Sequence, residues 1–452
     1  MILKKYDGDL SSVDFLDMMM IDISGNMRHV SIAKSYITDN IFEEGIGFDA
    51  SNLGFAKVTK SDMVAIPDMN KAFVEEKDGF KILHVFCDVV DPFDNERSFE
   101  HYPRNVIKNT VKYLNELGIA DTAKLLVELE FHVFDEVRYS SAHNHSYYSL
   151  NSSEGIGESF GSLPRMPHDS GYHKLYPEEK YFTYRNTIVS ILEGLGIPIK
   201  YHHHEVGIAQ LEIEVNFMDL EEVADNISIA KWVIKQVANE MNLYVTFMPK
   251  PIYKMPGNGM HVHQFLVKDG KSLFVGDKEH GLSDIGLNYI CGILDHALSG
   301  SLLAFTNPST NSYKRLVPGF EAPISATYAK GSRSAAIRVP GYLKKNAVRI
   351  EYRTGDATSN FYYSFAAMVL AGVDGILNKL DPKERGYNST DNMEDKIFPL
   401  DLDAVLNGLK QDHKYLEKVF PESLIEEWIK IKRKEANYVY NAPTPQEYEL
   451  YF

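Results

Sequence analysis

The sequence predicts an α+β protein in which a small β-rich domain precedes a larger domain of mixed strands and helices. Two observations carry this prediction. Residues 10–95 hold short apolar runs separated by turn-forming sequences such as ISGN and DPFD, which is typical of strands joined by tight turns. From Tyr102 onward, apolar residues recur at helical spacing, and strand and helix patterns then alternate. We therefore place the domain boundary between residues 101 and 102.

The strands of the first domain are predicted from its apolar runs. These runs are rich in the residue types that favour a pleated, half-buried backbone, and each is bounded by Gly, Pro, Asn or Asp. The predicted strands lie at Asp14–Ile23, Met27–Ile32 and Ile82–Val90.

The helices of the second domain are predicted from spacing and length. The first is VIKNTVKYLNELG, in which Gly118 provides the terminating residue. Residues 137–172 are rich in Ser, Asn, Gly and Tyr, so we expect a long irregular loop there, of a kind that is often functional. Further helices are expected at Leu220–Met241, Ile285–Ala304, Asn360–Leu380, Asp401–Leu416 and Ser423–Tyr438.

Composition limits the class of protein. The chain has 452 residues, 44% hydrophobic and 24% charged, which is typical of a folded soluble protein. A net charge of −16 repels phosphate backbones, so we expect no nucleic-acid partner. The N-terminus lacks the apolar core of a signal peptide, and no run approaches the roughly 20 apolar residues of a membrane span. Cys87 and Cys291 lie in apolar runs and are predicted to be buried free thiols. We expect a cytoplasmic protein without a membrane partner.

Several predicted strands carry charged residues on one face. Residues Leu125–Phe134 alternate Glu128, Glu130 and His132 with apolar residues, and Ala209–Phe217 alternates in the same way. An antiparallel sheet with one solvated face would produce this pattern without any chemistry, and for a single strand that is the simpler interpretation. The remaining members of the pattern are Gln210, Glu212 and Glu214, His203 and Glu205, His261 and His263, and Arg349, Glu351 and Arg353.

The residue types on these faces favour a metal site. A wet sheet face usually carries Lys, Thr and Ser, whereas these strands carry carboxylates, histidines and arginines. If the strands are neighbours, their carboxylates cannot all remain ionised without cations. Oxygen-rich sites with an occasional imidazole suit Mg²⁺ or Mn²⁺, whereas zinc would favour Cys and His. We therefore expect two or more such ions, held by Glu128, Glu130, Glu205, Glu212, His261 and Glu351.

Five arginines in the C-terminal third suggest how anions would bind. Guanidinium groups hold phosphate and carboxylate oxygens through paired hydrogen bonds, although each arginine taken alone is better explained as a surface residue. The chain contains no G-x-x-x-x-G-K-[ST] motif, so ATP would be held by metal ions and arginines instead of a P-loop. The five are Arg315, Arg333, Arg338, Arg349 and Arg353.

Longer segments resemble a known family. In chain order they are DASNLGFAKVTKSDMVAIPD, VELEFHVFD, HHHEVGIAQLEIEV, FMPKPIYKMPGNGMHVHQ, FTNPSTNSYKRLVPGFEAPI, GSRSAAIRVP and RIEYRTGDATSN. From near residue 14 to the end, the chain resembles the type I glutamine synthetases. The resemblance implies a β-grasp domain at 1–101 and a catalytic domain at 102–452 whose curved antiparallel sheet is backed by helices. It also implies a dodecamer of two hexameric rings with active sites between subunits, and a C-terminal tail at about 440–452 that latches the rings together.

The family reaction is the ATP-dependent condensation of glutamate with ammonium through γ-glutamyl phosphate. The resemblance divides the metal ligands into two sets. One set is Glu130, Glu205 and Glu212, and the set nearer ATP is Glu128, His261 and Glu351. Arg315, Arg353, Gly257 and Asn258 would bind glutamate, Arg333 would act on the transferring phosphate, and His263, Arg338 and Arg349 would bind ATP.

Three further roles follow from the same resemblance. Glu321, in VPGFEAP, matches a flap that shields the acyl phosphate from water. Asp49 matches an aspartate that a neighbouring subunit contributes to bind and deprotonate ammonium, because NH₄⁺ has no lone pair with which to attack. Tyr172 falls where the family has a tyrosine near the substrate pocket.

The chain departs from the family pattern at four positions. Pro256 stands where an Asn usually contacts glutamate, so this contact must come from Asn258 or from backbone, or be absent. Phe265 replaces a serine and Asn346 a lysine, both near the expected nucleotide. Phe398 stands near the position of a regulatory tyrosine, so control by nucleotidylation is not expected, whereas feedback or a regulatory protein stays open.

Two alternatives to a glutamate–ammonia ligase remain open at this point. One is a γ-glutamyl ligase for another small amine or a polyamine. The other is a non-catalytic nitrogen sensor on the same fold. The intact GFEAP segment and the complete set of carboxylates favour catalysis with ammonium.

Overall fold

The computed structural model describes residues 2–56, 59–94, 97–156, 166–167, 169–344, 347–388 and 396–452. Two large sheets and a set of helices make up the fold, and one hydrophobic core runs through both sheets. The α+β class predicted from the sequence is confirmed. Of the helices described, none combines the length and the apolar character needed to cross a membrane.

The N-terminal sheet is mixed. Its strands follow the order β1-β5-β6-β2-β3, with β4 paired to β5 and β7 paired to β6, and β2 and β6 run parallel. The apolar runs predicted as strands form β2, β3 and β6. Strands β2 and β6 bury apolar residues in the core, whereas the apolar residues of β3 are partly buried against it. The elements are β1 Ile2–Lys5, β2 Phe15–Ile21, β3 Met27–Ala33, α1 Asp39–Glu44, β4 Ile46–Asp49, β5 Asp62–Lys77, β6 Phe80–Asp91 and β7 Arg97–Ser98.

The second sheet brings the charged strands together. Its order is β11-β12-β8-β14-β18-β17-β16, with β13 beside β8 and β15 beside β14, and it is antiparallel except for the pair β16 and β17. The condition for the metal-site argument, that the charged strands are neighbours, is therefore met. The strands of this part of the chain are β8 Thr122–Phe134, β9 Glu136–Ala142, β10 His145–Asn151, β11 Ile199–His204, β12 Gln210–Asp219, β13 Tyr244–Thr246, β14 Met260–Lys268, β15 Lys271–Ser272, β16 Tyr328–Lys330, β17 Ile337–Val339 and β18 Ile350–Tyr352.

Helices back this sheet, and the predicted helices are present. The helix expected at Ile285–Ala304 ends at Leu298, because Gly300 adopts a left-handed φ of 91° and a short separate helix follows. The helices are α2 Pro103–Glu116, α3 Phe182–Gly194, α4 Leu220–Glu240, α5 Asp284–Leu298, α6 Leu303–Thr306, α7 Ser312–Arg315, α8 Phe361–Leu377, α9 Leu402–Gln411, α10 Glu422–Tyr440 and α11 Pro445–Tyr451.

The prediction of an irregular loop at 137–172 is wrong for the first part of that segment. Residues of β9 and β10 form an antiparallel hairpin in which Ala142 pairs with His145 and Glu136 pairs with Asn151. The hairpin is largely exposed on both faces, so it lacks the apolar alternation on which the prediction depended. Residues 157–165 and 168 of the same segment lie outside the described residues.

A buried charge cluster joins the N-terminal sheet to the helices behind the second sheet. Arg104 of α2 is 5% exposed and donates hydrogen bonds to Asp68 and Asp88 of the N-terminal sheet and to Asp225 of α4. Tyr102 OH donates to the carbonyl of Cys87. Cys87 and Cys291 are buried and free, as predicted. The boundary between residues 101 and 102 stays a prediction.

Candidate active site

A cavity of about 360 Å³ lies on the polar face of the second sheet. The strand register explains why charged side chains meet there. Glu212 of β12 pairs with Glu130 of β8, and His261 of β14 pairs with Glu128 of β8, so side chains of the same parity share one face. Of the predicted site residues, those that line the cavity are Glu128, Glu130, Tyr172, Glu205, Glu212, Gly257, His261, Arg315, Glu321, Arg333, Arg338, Glu351 and Arg353.

The carboxylates of this face are removed from solvent. Glu351 is 0% exposed, Glu212 is 5%, Glu130 is 7% and Glu128 is 8%. A solvated sheet face would leave such side chains open to water, so the simpler interpretation of the alternation is excluded. Burying this many acidic groups requires positive partners close by.

In the half of the cavity around Glu128 and Glu351, side chains of the protein provide these positive partners. Glu128 contacts His261 Nδ1 at 2.8 Å and His263 Nε2 at 2.9 Å, and Glu351 pairs with Arg338 and Arg353. Burial alone would raise the pKa of Glu128, but the hydrogen bonds from the two histidines hold its pKa well below the ordinary value. This half of the site is electrostatically balanced.

In the half of the cavity around Glu205 and Glu212, the negative charge is not balanced in this way. Burial raises the pKa of Glu205 and of Glu212 well above the ordinary value, and repulsion from neighbouring carboxylates raises it further. His203 lies beside both groups, with Nε2 at 3.3 Å from Glu212. A cation placed here would relieve the repulsion that the protein leaves in place.

The donor set fits hard divalent cations. Ligand atoms from Glu128, His261 and Glu351 lie within 4.8 Å of one another, and the same holds for His203, Glu205 and Glu212. Carboxylate oxygens with a single imidazole in each group match the preference of Mg²⁺ and Mn²⁺. Glu130, placed with Glu205 and Glu212 by the resemblance, instead accepts a hydrogen bond from the Gly259 N–H at 2.7 Å.

Arg315 forms the floor of the cavity next to the loop that precedes β14. It is 4% exposed and donates to the carbonyls of Thr354 at 2.9 Å and Arg353 at 3.2 Å. The loop approaches so closely that a Cβ at Gly259 would lie 2.5 Å from Arg315 Nη2 and 2.7 Å from His261 Nε2. Only glycine fits between the guanidinium and the imidazole without displacing one of them.

Glu321 projects into the cavity from an exposed segment. Its φ of 53° places it in the left-handed region, directly after Gly319 and Phe320. Lys250 Nζ lies 3.6 Å from the centroid of the Phe320 ring, which anchors this segment by a cation–π contact. Burial and then repulsion from Arg315 lower the pKa of Lys250 to about 8. Arg333 reaches the cavity from the opposite side and hydrogen bonds to Tyr172.

Three of the residues predicted to bind substrates lie outside the cavity lining. The side chain of Asn258 is buried, where its Oδ1 faces His132 Nδ1 at 2.8 Å and its Nδ2 donates to the Met248 carbonyl at 2.8 Å. These contacts occupy the amide, so the geometry contradicts a side-chain contact between Asn258 and substrate. His263 and Arg349 are also buried behind Glu128, with Arg349 Nε donating to His263 Nδ1 at 3.3 Å.

Asp49 is exposed in the N-terminal sheet and does not line this cavity. Its carboxylate accepts hydrogen bonds from Ser51 N–H at 2.9 Å and Asn52 Nδ2 at 3.1 Å. Hydrogen bonds from Ser51, the side-chain one foremost, lower the pKa of Asp49, so it is held as an ionised group at the protein surface. Within one chain, Asp49 does not lie with the predicted site residues that line the cavity.

Three of the four departures from the family pattern lie among the described residues. Pro256 lines the cavity, so the ring of a proline stands where the family has an amide. Phe265 packs on Phe217 at 5.1 Å, and the guanidinium of Arg349 lies over the Phe217 ring at 5.3 Å. Phe398 is 3% exposed. Asn346 lies outside the described residues.

Several of the residues that line the cavity were not predicted as site residues. Gln210 donates from Nε2 to the Gly257 carbonyl at 2.9 Å, and its place in the charged alternation of β12 was a usable signal. Tyr201 shares the parity of His203 on β11, which was a weaker signal of the same kind. Asp169 and Tyr342 reach the cavity from irregular segments, where no periodicity exists to reveal them.

Two family descriptions match the chain. Residues 12–92 match the β-grasp domain of glutamine synthetase, and residues 100–451 match its catalytic domain. Glutamine synthetase from Mycolicibacterium smegmatis is 40% identical over 464 residues, covering 98% of this chain and 96% of the relative. The Nostoc sp. glutamine synthetase is 39% identical, with 97% and 96% covered.

A solved structure agrees with these sequence matches. The cryo-EM structure of Plasmodium falciparum glutamine synthetase superimposes with a TM-score of 0.89 at 27% identity, covering 99% of this chain and 97% of that one. The fold and the acidic cavity define a two-domain protein with a β-grasp domain and a catalytic domain. The chain belongs to the glutamine synthetase family.

Proposed function

We propose that this chain ligates ammonium to the γ-carboxylate of L-glutamate at the expense of ATP, giving L-glutamine, ADP and phosphate through γ-glutamyl phosphate. The observation that carries the proposal is the convergence of four buried glutamates, the partly buried Glu205 and His261 in one cavity that arginines also line. Family membership supplies the reaction class. A non-catalytic sensor would have no need to keep so many acidic groups buried together.

Two or more Mg²⁺ or Mn²⁺ ions are the proposed cofactors, and ATP is the cosubstrate. Glu128, His261 and Glu351 would hold one ion, while Glu205 and Glu212 together with Glu130 would hold another. When bound, such ions bridge phosphate oxygens and neutralise negative charge during phosphoryl transfer.

The arginines are proposed to bind the anionic groups of the substrates. Arg315 and Arg353 lie deepest and would hold the carboxylates of glutamate. Arg333 and Arg338 would meet the phosphate. Among the described residues, Arg338 Nε is buried without a hydrogen-bond partner, so an anionic oxygen would satisfy a donor that the protein leaves free. His263 and Arg349 would act on ATP only indirectly, by fixing Glu128.

Glu321 and Asp49 are proposed to control water and ammonium. The segment of Gly319 to Glu321 lines the cavity and would cover it, which would protect an acyl phosphate from hydrolysis. Asp49 is ionised and exposed, which suits the binding of NH₄⁺ in the site of an adjacent subunit, where it would also take the proton of the ammonium ion.

The role proposed for Asp49 requires an oligomer, because Asp49 would act in the site of an adjacent subunit. We propose the dodecamer of two hexameric rings. The C-terminal tail supports it, since Tyr448, Leu450, Tyr451 and Phe452 are 61%, 72%, 83% and 104% exposed. Apolar side chains this open within one chain favour a partner surface on another copy. We place the protein in the cytoplasm, where buried thiols stay reduced. The burial of Phe398 argues against covalent modification at that position.

The test is product formation by purified protein with ATP, glutamate and Mg²⁺ or Mn²⁺. Ammonium is compared with methylamine, ethanolamine and putrescine, phosphate release is measured, and the amide is identified by mass spectrometry. We expect glutamine from ammonium at the highest kcat/KM. Turnover of a larger amine alone would identify a different γ-glutamyl ligase, and no turnover with any amine would favour the sensor.

A further inference from the structure

The segment of Gly319 to Glu321 lines the cavity but belongs to no helix or strand. Gly319 and Glu321 are exposed, and between described residues no backbone hydrogen bond reaches positions 318–323. Phe320 is partly buried, and Lys250 Nζ lies over its ring at 3.6 Å from the centroid. A cation this close to an aromatic face is attracted to it. We infer that Lys250 is the positioning residue that holds this segment, and Glu321 with it, over the cavity.

Lys250 is itself fixed by contacts that do not involve Phe320. Its backbone N–H donates to Asn311 Oδ1 at 2.6 Å, and Asn311 Nδ2 donates back to the Lys250 carbonyl at 3.2 Å. Its Nζ donates a hydrogen bond to the carbonyl of Met255. The ammonium group is therefore already oriented, and the ring of Phe320 meets a cation whose position the loop before β14 determines.

Lys250 also contacts both ends of one stretch of chain. Asn311 lies directly before α7, and Phe320 lies shortly after the end of that helix at Arg315. The main chain of Lys250 binds the first end, and its side chain contacts the second. One residue thus ties the segment that carries Glu321 to the helix that carries Arg315, the arginine proposed to hold glutamate.

The consequence of this contact would be the exclusion of water, and here the inference rests on the proposed function. In γ-glutamyl phosphate, ammonia attacks the acyl carbon and displaces phosphate, which gives glutamine. Water attacking the same carbon also displaces phosphate but returns glutamate. Both reactions consume ATP, and only the first forms an amide. A segment held over the cavity keeps water out, so loss of the Lys250 contact should raise the share of hydrolysis.

The contact depends on the charge of Lys250. Burial and then repulsion from Arg315 lower the pKa of Lys250 to about 8, while the carboxylate of Asp169 acts in the opposite direction. Below about pH 8 the ammonium form prevails and attracts the Phe320 ring. As the pH rises through about 8 the amine becomes neutral, and this attraction is lost. Arginine at the same position would keep its charge, because a guanidinium stays protonated.

Fluorescence of the Phe320→Trp protein tests the contact without substrates. The emission of the natural Trp232 and Trp428 is subtracted by using the parent protein. Acrylamide quenching then measures how open the introduced indole is to solvent. We expect Lys250→Gln to raise the quenching constant about twofold or more at pH 7, and Lys250→Arg to leave it unchanged. Between pH 7 and pH 9 the constant should rise with lysine at position 250 but not with arginine.

The ratio of phosphate released to glutamine formed tests the consequence for the reaction. It is measured with ATP, glutamate, Mg²⁺ and saturating ammonium at pH 7. We expect Lys250→Gln and Phe320→Leu to raise the phosphate released in excess of glutamine about fivefold. The double variant should raise it no further, since both changes remove the same contact. Lys250→Arg should restore the wild-type ratio.

Lys254→Gln is the matched control for both measurements. Lys254 belongs to the same loop, but its Nζ lies 5.2 Å from the ring of the exposed Tyr253 and not over the cavity segment. Quenching and phosphate ratios that stay at wild-type values in Lys250→Gln, or that rise equally in Lys254→Gln, would overturn the inference alone. Absence of glutamine from wild type would overturn the proposed function, and the quenching result would then decide whether Lys250 holds the segment.

Discussion

At the scale of the residue, a buried histidine far from the acidic cavity illustrates how charge pairs stabilise this fold. His296 of α5 lies between Asp374 at 3.1 Å and Asp412 at 2.8 Å, and it stacks on Tyr415. Burial would lower the pKa of His296, but the two carboxylates outweigh it and raise the pKa to about 9. An unfolded histidine titrates near 6.5, so the stabilisation is complete below about pH 6.5 and is lost as the pH rises through about 9.

We therefore expect His296→Gln to lower Tm strongly at pH 6 and much less at pH 9.5. The rise in the pKa of His296 from 6.5 to about 9 corresponds to at most about 3 kcal/mol of unfolding free energy. Tm is measured by differential scanning fluorimetry at both pH values. His145→Gln, in the exposed hairpin, is the control and should follow wild type. An equal loss of Tm at the two pH values would contradict a charged His296.

At the scale of the element, the loop before β14 lies against both an arginine proposed to bind glutamate, Arg315, and a proposed metal ligand, His261. A Cβ on Gly259 would collide with Arg315 and His261, and a Cβ on Gly257 would lie 2.2 Å from the Pro249 carbonyl. We expect Gly259→Ala to lower kcat/KM by about 100-fold, the loss typical of a displacement near 1 Å, while Tm changes little. Gly194→Ala, where nothing lies within 4 Å, is the control. Wild-type kcat/KM in Gly259→Ala would show that the loop adapts.

The elements also show what the sequence could predict. Parity along β8, β12, β14 and β18 placed the carboxylates on one face because the period of a strand is fixed by its backbone. The contacts of Asn258 could not be predicted, since they depend on His132 and Met248 from other segments. The β9–β10 hairpin was missed because its pairing is not accompanied by burial.

At the scale of the whole molecule, the exposed C-terminal tail is the segment proposed to link one chain to a larger assembly. Helix α11 has a complete capping box between Thr444 and Glu447, yet it spans only seven residues and buries none of them. An isolated helix this short is unstable in water, so its order implies a partner surface. Its apolar residues are exposed in the single chain, which points to a second copy as that partner.

Deletion of residues 443–452 should therefore halve the mass of the assembly, from about twelve times 51.3 kDa to about six times that value. Mass photometry at fixed protein concentration measures this change. Glu449→Ser, a polar change on the same helix, is the matched control and should leave the mass unchanged. Because the proposed active sites lie between subunits of one ring, the truncated protein should keep glutamine synthesis. If the truncated protein keeps the full mass, the tail contacts its own ring and does not join the two rings. If the mass is halved and glutamine synthesis is lost, the active sites of one ring depend on the other ring.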